Sequence, residues 1–202
     1  MVGCPLPFWE TQMKSVLSII HLFLLQAVFA NPERETEMQT LEVMARERVD
    51  NSNALSPETP EAEAAVERWV DFVADMTQES VLEKVREVYA DSAYLNDTLK
   101  EVQGVENIEN YFLETISATD KVSAEMLDIA ESKGNYYLRW VMIIKFKNLN
   151  SGQPTRTIGM SHLRFDSKGK VIYHQDYWDS TSGFYQYVPV LGRLIKAVKG
   201  RL

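Results

Sequence analysis

The chain has 202 residues, enough for one ordinary domain with a processed or poorly ordered end, and its 45% hydrophobic and 25% charged residues place it in the globular class. The formal net charge of −8 is unevenly spread: beyond Asp179 there is no Asp or Glu, while Arg193, Lys196, Lys199 and Arg201 all lie there. The rest is therefore more acidic than the total, which argues against nucleic acid as a partner.

The leading segment has Lys14 and Ser15, then an apolar run from Val16 to Phe29 broken only by Ser18, His21 and Gln26, then Ala30, Asn31 and Pro32. This reads as a signal peptide over residues 1–30, cleaved near Ala30, with Met13 a more natural start than Met1. The expected location is then secreted or periplasmic; the alternative is membrane anchoring by an uncleaved N-terminal segment. The run is short for a span, which needs roughly 20 apolar residues. Cys4 is the single cysteine, so cleavage would leave neither disulfide nor thiol chemistry.

Residues 31–58 are rich in Glu, Asn, Thr and Ser and read as a flexible linker, with a weak helix near 38–48. The domain is expected over 59–202. Thr59 and Pro60 mark a helix start, and Val66, Trp69, Val70, Val73 and Met76 give an amphipathic helix over 60–76. Thr77 caps a second helix with Val81, Leu82, Val85, Val88 and Tyr89 on its stripe. A short extended piece around 94–96 follows. Gly104 then precedes a third helix carrying Ile108, Tyr111, Phe112 and Ile116.

From residue 121 the apolar period becomes two. Strands are expected over 121–130, 136–147, 155–165 and 170–178, joined by short turn-rich connections that favour antiparallel neighbours. The fold class is α+β, with about three N-terminal helices packed on one face of an antiparallel sheet. In the last strand, alternation places Ile172, His174, Asp176 and Trp178 on one face, and Tyr173, Gln175, Tyr177 and Asp179 on the other. A carboxylate lined up with an imidazole and an indole could act as a base, since lost solvation raises its pKa. The same row could equally be a satisfied structural pair. On the preceding strands, Leu138, Trp140, Met142, Ile144 and Phe146 form a core-facing row that turns Arg139 outward. His162 is a lone strand histidine, and with His174 it makes no metal site. No phosphate loop or nucleophile elbow is present.

The order of elements, with "YADSAYLNDTL" (89–99), "GVENIENYF" (104–112) and "YHQDYWD" (173–179), resembles the SnoaL-like branch of the nuclear transport factor 2-like superfamily. The resemblance implies a cone: a curved antiparallel sheet wrapped around the helices, with a pocket between them and a short C-terminal helix. It implies Asp176 as a base, with Tyr94 as a hydrogen-bond donor and Asn96 as a substrate-binding residue, although Asn96 and Asp97 equally fit ordinary turn chemistry. His174 as the partner of Asp176, and Trp140, Met142 and Trp178 as substrate-binding residues, follow from the strand faces. No cofactor or metal is implied. The epoxide-hydrolase variant of this site pairs Tyr-x-Asn, matched by Tyr94 and Asn96, with an Arg-x-Asp pair; here Arg139 is followed by Trp140 and Val141, so the second carboxylate is missing. The expected function is binding of an apolar small molecule, with cofactor-free acid–base chemistry of isomerase, cyclase or hydrolase type. The alternative is a non-catalytic ligand-binding or interaction module, dimeric through the outer sheet face.

The C-terminal segment from Pro189 is basic, with Leu191, Leu194, Ile195 and Val198 at helical spacing. It reads either as a short helix closing the open end of the cone or as a peripheral membrane contact.

Overall fold

In the computed structural model, Leu55 and residues 58–201 are described, and all of them fall in one unit, residues 51–202. The expected signal peptide or anchor and nearly all of the expected linker lie outside the described residues. Leu55, within that linker, is buried, and its N–H donates to the Phe165 carbonyl at 3.3 Å.

Helix α1 spans Pro60–Ala74. Proline fits its first turn because no N–H is needed there, and the Thr59 hydroxyl accepts from the Ala62 N–H at 3.2 Å. Its buried face is Ala62, Ala65, Val66, Trp69, Phe72 and Val73. Helix α2, Gln78–Val88, opens with a capping box between Thr77 and Ser80. Val81, Val85 and Val88 point inward, but Leu82 is 52% exposed. Tyr89, expected on the helical stripe, instead begins strand β1, Tyr89–Asn96. A hairpin leads to β2, Glu101–Gln103, and then to α3, Val105–Ser117. The four later strands are β3 (Thr119–Ser132), β4 (Asn135–Phe146), β5 (Thr155–Phe165) and β6 (Val171–Trp178). A short helix α4 (Ser180–Gly183), a 3-10 turn (Tyr185–Tyr187) and helix α5 (Leu191–Lys199) complete the chain.

The six strands form one sheet in the order β2-β1-β6-β5-β4-β3. The expected antiparallel meander from β3 to β6 is present, but β1 joins β6 in parallel, with Leu95 opposite His174. The sheet is therefore mixed, and the extended piece expected at 94–96 is a full strand in its interior. Helix α3 packs against β1, β2 and β3, which include both sheet edges. Six flat strands would hold those edges roughly 24 Å apart at about 4.8 Å per step, twice the width of a helix. One helix reaches both only because the sheet curls around it, which gives the cone.

Candidate functional site

The inner face of the cone is fixed by register. Leu95 pairs with His174, Ser161 with Asp176, Gly159 with Trp178, Trp140 with Gly159, and Met126 with Trp140, so these side chains project to one side. Between that face and the helices lies a cavity of about 290 Å³, lined by Asp97, Tyr111, Trp140, Met142, Asp176, Trp178 and Phe184 among others. A smaller chamber of about 80 Å³ shares Asp97, Tyr111, Trp140, Met142 and Asp176 and reaches Trp69, Ser161 and His174. Most of the lining is apolar, so the polar groups stand out.

Asp176 is buried at the end of a chain of hydrogen bonds. The Trp69 indole N–H donates to the Tyr89 hydroxyl at 3.3 Å, and that hydroxyl lies 2.9 Å from His174 Nδ1. Burial pushes the Tyr89 hydroxyl far above its ordinary range, so it keeps its proton. A carboxylate only accepts, so a neutral imidazole turns its N–H, on Nε2, toward Asp176, and Nδ1 accepts the Tyr89 proton. Nε2 then donates to Asp176 Oδ1 at 2.8 Å. From the other side, the Trp140 indole donates to Ser161 Oγ at 2.9 Å, and Ser161 donates to the same Oδ1 at 2.5 Å. Among the described residues no donor is bonded to Oδ2, and Asp176 lines both chambers. One oxygen is clamped while the other remains available to whatever fills the cavity.

This arrangement depends on a missing side chain. A Cβ built on Gly159 would lie 2.3 Å from the Trp140 ring. Only glycine lets the indole lie across β5 and reach Ser161.

A second carboxylate faces the same cavity. Asp97 follows β1, and its Oδ1 accepts from the Leu99 and Lys100 N–H groups at 2.9 Å each, while Tyr111 donates to its Oδ2. Burial pushes the Asp97 carboxyl above the ordinary range, opposed by the bonds from Tyr111 and the backbone and reinforced by the charge of Asp176. Tyr111 is itself raised, by burial first and then by the Asp97 charge, so it remains the donor. The Trp178 indole donates to the Asp97 carbonyl at 2.6 Å, tying the strand end of β6 to the same turn.

Of the residues expected in the site, His174, Asp176, Trp140, Met142 and Trp178 are brought together. Tyr94 and Asn96 are not. Tyr94 pairs with Tyr173 across the sheet and stacks on it at 5.5 Å, on the outer face, and Asn96 Nδ2 donates to the Tyr94 hydroxyl at 3.3 Å. The reason is strand alternation: Leu95 and Asp97 take the inward positions, so the Tyr-x-Asn pair points away. His162 also lies outward, stacked on Tyr137 at 4.8 Å with Nε2 2.8 Å from Asn135 Oδ1. Arg139 is exposed, with Nε 3.0 Å from an Asp128 oxygen, as its alternation with the core row requires. The residues that sequence reasoning missed are Asp97, Tyr111, Ser161 and Tyr89. The only signal for Asp97 was its position two residues after Leu95, on the same side of an extended segment.

The SnoaL-like domain model matches residues 66–174, more than half of the chain. No curated protein sequence matches significantly. Among solved structures, a protein of ketosteroid isomerase-like fold from Catenulispora acidiphila, in complex with trimethylamine, superimposes with a TM-score of 0.54 at 16% identity, over 66% of this chain and 97% of that one. An LEH-like epoxide hydrolase of M. tuberculosis gives 0.51 at 16% identity, over 71% and 99%. A protein described as a SnoaL-like polyketide cyclase, from Jannaschia sp. CCS1, gives 0.50 at 15%, over 63% and 94%. At these identities the likeness is one of fold.

Proposed function

The chain belongs to the SnoaL-like domain family, and on that premise we propose that it binds an apolar, carbonyl-bearing small molecule and moves a proton on it. The observation that carries this reading is Asp176 itself: Oδ1 is clamped by His174 and Ser161, and the carboxylate stands at the wall of a largely apolar cavity. A carboxylate held this way is oriented for proton abstraction without rearrangement.

In the proposed step, Asp176 Oδ2 takes a proton from the carbon next to the ligand carbonyl. The bonding pair moves to the carbonyl oxygen, giving an enolate. The Tyr111 hydroxyl faces the same space; its proton turns from Asp97 Oδ2 to the ligand and stabilises that oxygen by hydrogen bonding, with Asp97 beside it as the acceptor it leaves. Return of the proton from Asp176 to a different carbon completes an isomerisation. Attack of the enolate carbon on a second carbonyl carbon of the same ligand, whose C=O π pair moves to its oxygen and takes the proton held by Asp176, completes a cyclisation. Tyr111 thus takes the donor role that the sequence suggested for Tyr94. Trp140, Met142 and Trp178 supply apolar contact.

Purifying the protein from its own cells and identifying the co-purifying compound by mass spectrometry tests the binding half. Asp176→Asn tests the chemical half. The variant is expected to retain the compound and lose its conversion. Unchanged conversion would remove Asp176 as the base and leave the non-catalytic binding module as the reading.

A further inference from the structure

Helix α5 carries its apolar stripe on the outside. Leu191, Leu194 and Val198 recur at helical spacing, and with Val190 just before the helix they are 39%, 61%, 61% and 69% exposed in that order. Its one buried residue is Gly192, seated where a Cβ would lie 2.1 Å from the Gln186 carbonyl oxygen. The helix is therefore held to the domain by its glycine edge and the half-buried Ile195, while Leu191, Leu194 and Val198 stay largely uncovered among the described residues.

Charge says what kind of surface fits it. Arg193, Lys196, Lys199 and Arg201 lie in or beside this helix, with no acidic residue after Asp179, in a chain of net charge −8. Lys199 bonds the Ser182 hydroxyl at 3.2 Å, and none of Arg193, Lys196 and Arg201 forms an ion pair among the described residues. An apolar stripe beside a wholly cationic polar face is the arrangement that lies in the headgroup boundary of an anionic bilayer. A second copy of the same helix is disfavoured, because a two-fold contact sets like charges against each other.

We propose that α5 docks this protein onto an anionic membrane surface, with Leu191, Leu194 and Val198 in the lipid boundary and the four cations at the headgroups. The docking is independent of the reaction proposed above. It has a geometric consequence for the cavity. Phe184 lines the cavity, and α5 is seated on the turn that follows it, so the lipid surface and that rim of the cavity become neighbours.

The test places an environment-sensitive nitrobenzoxadiazole label at Leu194→Cys in the full chain, with Cys4→Ser removing the other thiol. A matching label at Ile158→Cys, an exposed position on β5, serves as the reference. Vesicles of phosphatidylcholine alone, and of phosphatidylcholine with phosphatidylglycerol, are titrated in. The expected result is a blue shift at position 194 with the anionic vesicles only, reversed by raised salt, and no shift at 158. Replacing Lys196 and Lys199 by Gln should weaken the response about thirtyfold, at roughly one unit of kcal/mol per lost cation. Three results would overturn the proposal: no shift at 194, an equal shift with neutral vesicles, or a shift without vesicles that grows with protein concentration, which would mean a second copy covers the helix.

Discussion

Asp176 and Asp97 look into the same cavity from differently built regions. Asp176 sits in the middle of the sheet, on a strand paired on both sides, and its bonding oxygen is reached through two buried indoles, a tyrosine, an imidazole and a serine. Asp97 sits on a turn, held by two backbone N–H groups and one tyrosine from a helix. The first region orients a carboxylate by rigid side chains. The second lets burial and a like charge raise a carboxyl toward its protonated form. Two residues of one type are thus held in the same cavity by different means, one by side chains across the sheet and one by a turn.

That contrast can be broken most severely at the strand. Asp176→Asn is expected to lower turnover of the bound compound by about 10²- to 10⁴-fold, measured as single-turnover conversion, with the cavity still occupied. Gly159→Ala attacks the support instead of the acid. Its methyl would overlap the Trp140 ring, so we expect a loss near 3 kcal/mol in chemical denaturation, the upper part of the range for overpacking; unaltered stability would show that the indole can be displaced at little cost. Tyr89→Phe leaves His174 Nδ1 and the Trp69 N–H without their shared partner, for about 1–2 kcal/mol. It should also disturb activity more than Phe at a hydroxyl on the outer face.

The mildest change sharpens the other side of the comparison. The folded-state pKa of Asp97 is raised, so between its ordinary and raised values the native state holds more protons than the unfolded one. Its contribution to stability therefore falls as pH rises through that window. Asp97→Asn cannot ionise, and the gap in melting temperature should move in the variant's favour over the same interval. A gap that stays constant with pH would mean that Asp97 titrates alike in both states.

How far the sequence could be read follows from the range of each interaction. The β6 row needed only a period of two, and His174, Asp176 and Trp178 emerged from it on the inward side. The four-strand meander followed from short polar connections, and α1 and α2 from capping residues and apolar spacing. The placement of Tyr94 and Asn96 failed for a different reason. Three extended residues define two faces without saying which is inside, and the answer depends on the parallel pairing of β1 with β6. Tyr89 failed because the stripe ran past the end of its helix, and Leu82 because it lies on the solvent side of that helix. Asp97 lies just past the extended piece expected at 94–96 and does two jobs at once: Oδ1 serves the turn while Oδ2 serves Tyr111. Ser161 and Tyr111 have no local signature, since their partners lie on distant elements.

The parallel junction of β1 and β6 also has a kinetic consequence. Leu95 and His174 meet across roughly 80 residues of chain, whereas β3 through β6 join neighbour to neighbour. The meander can zip up through short loops, but closing that seam must first overcome the entropy of a long one. The two carboxylates stand on either side of it. Stopped-flow refolding should therefore show sheet signal appearing before Trp178 reaches its place beside the Asp97 turn, so that the cavity is the last part of the molecule to form.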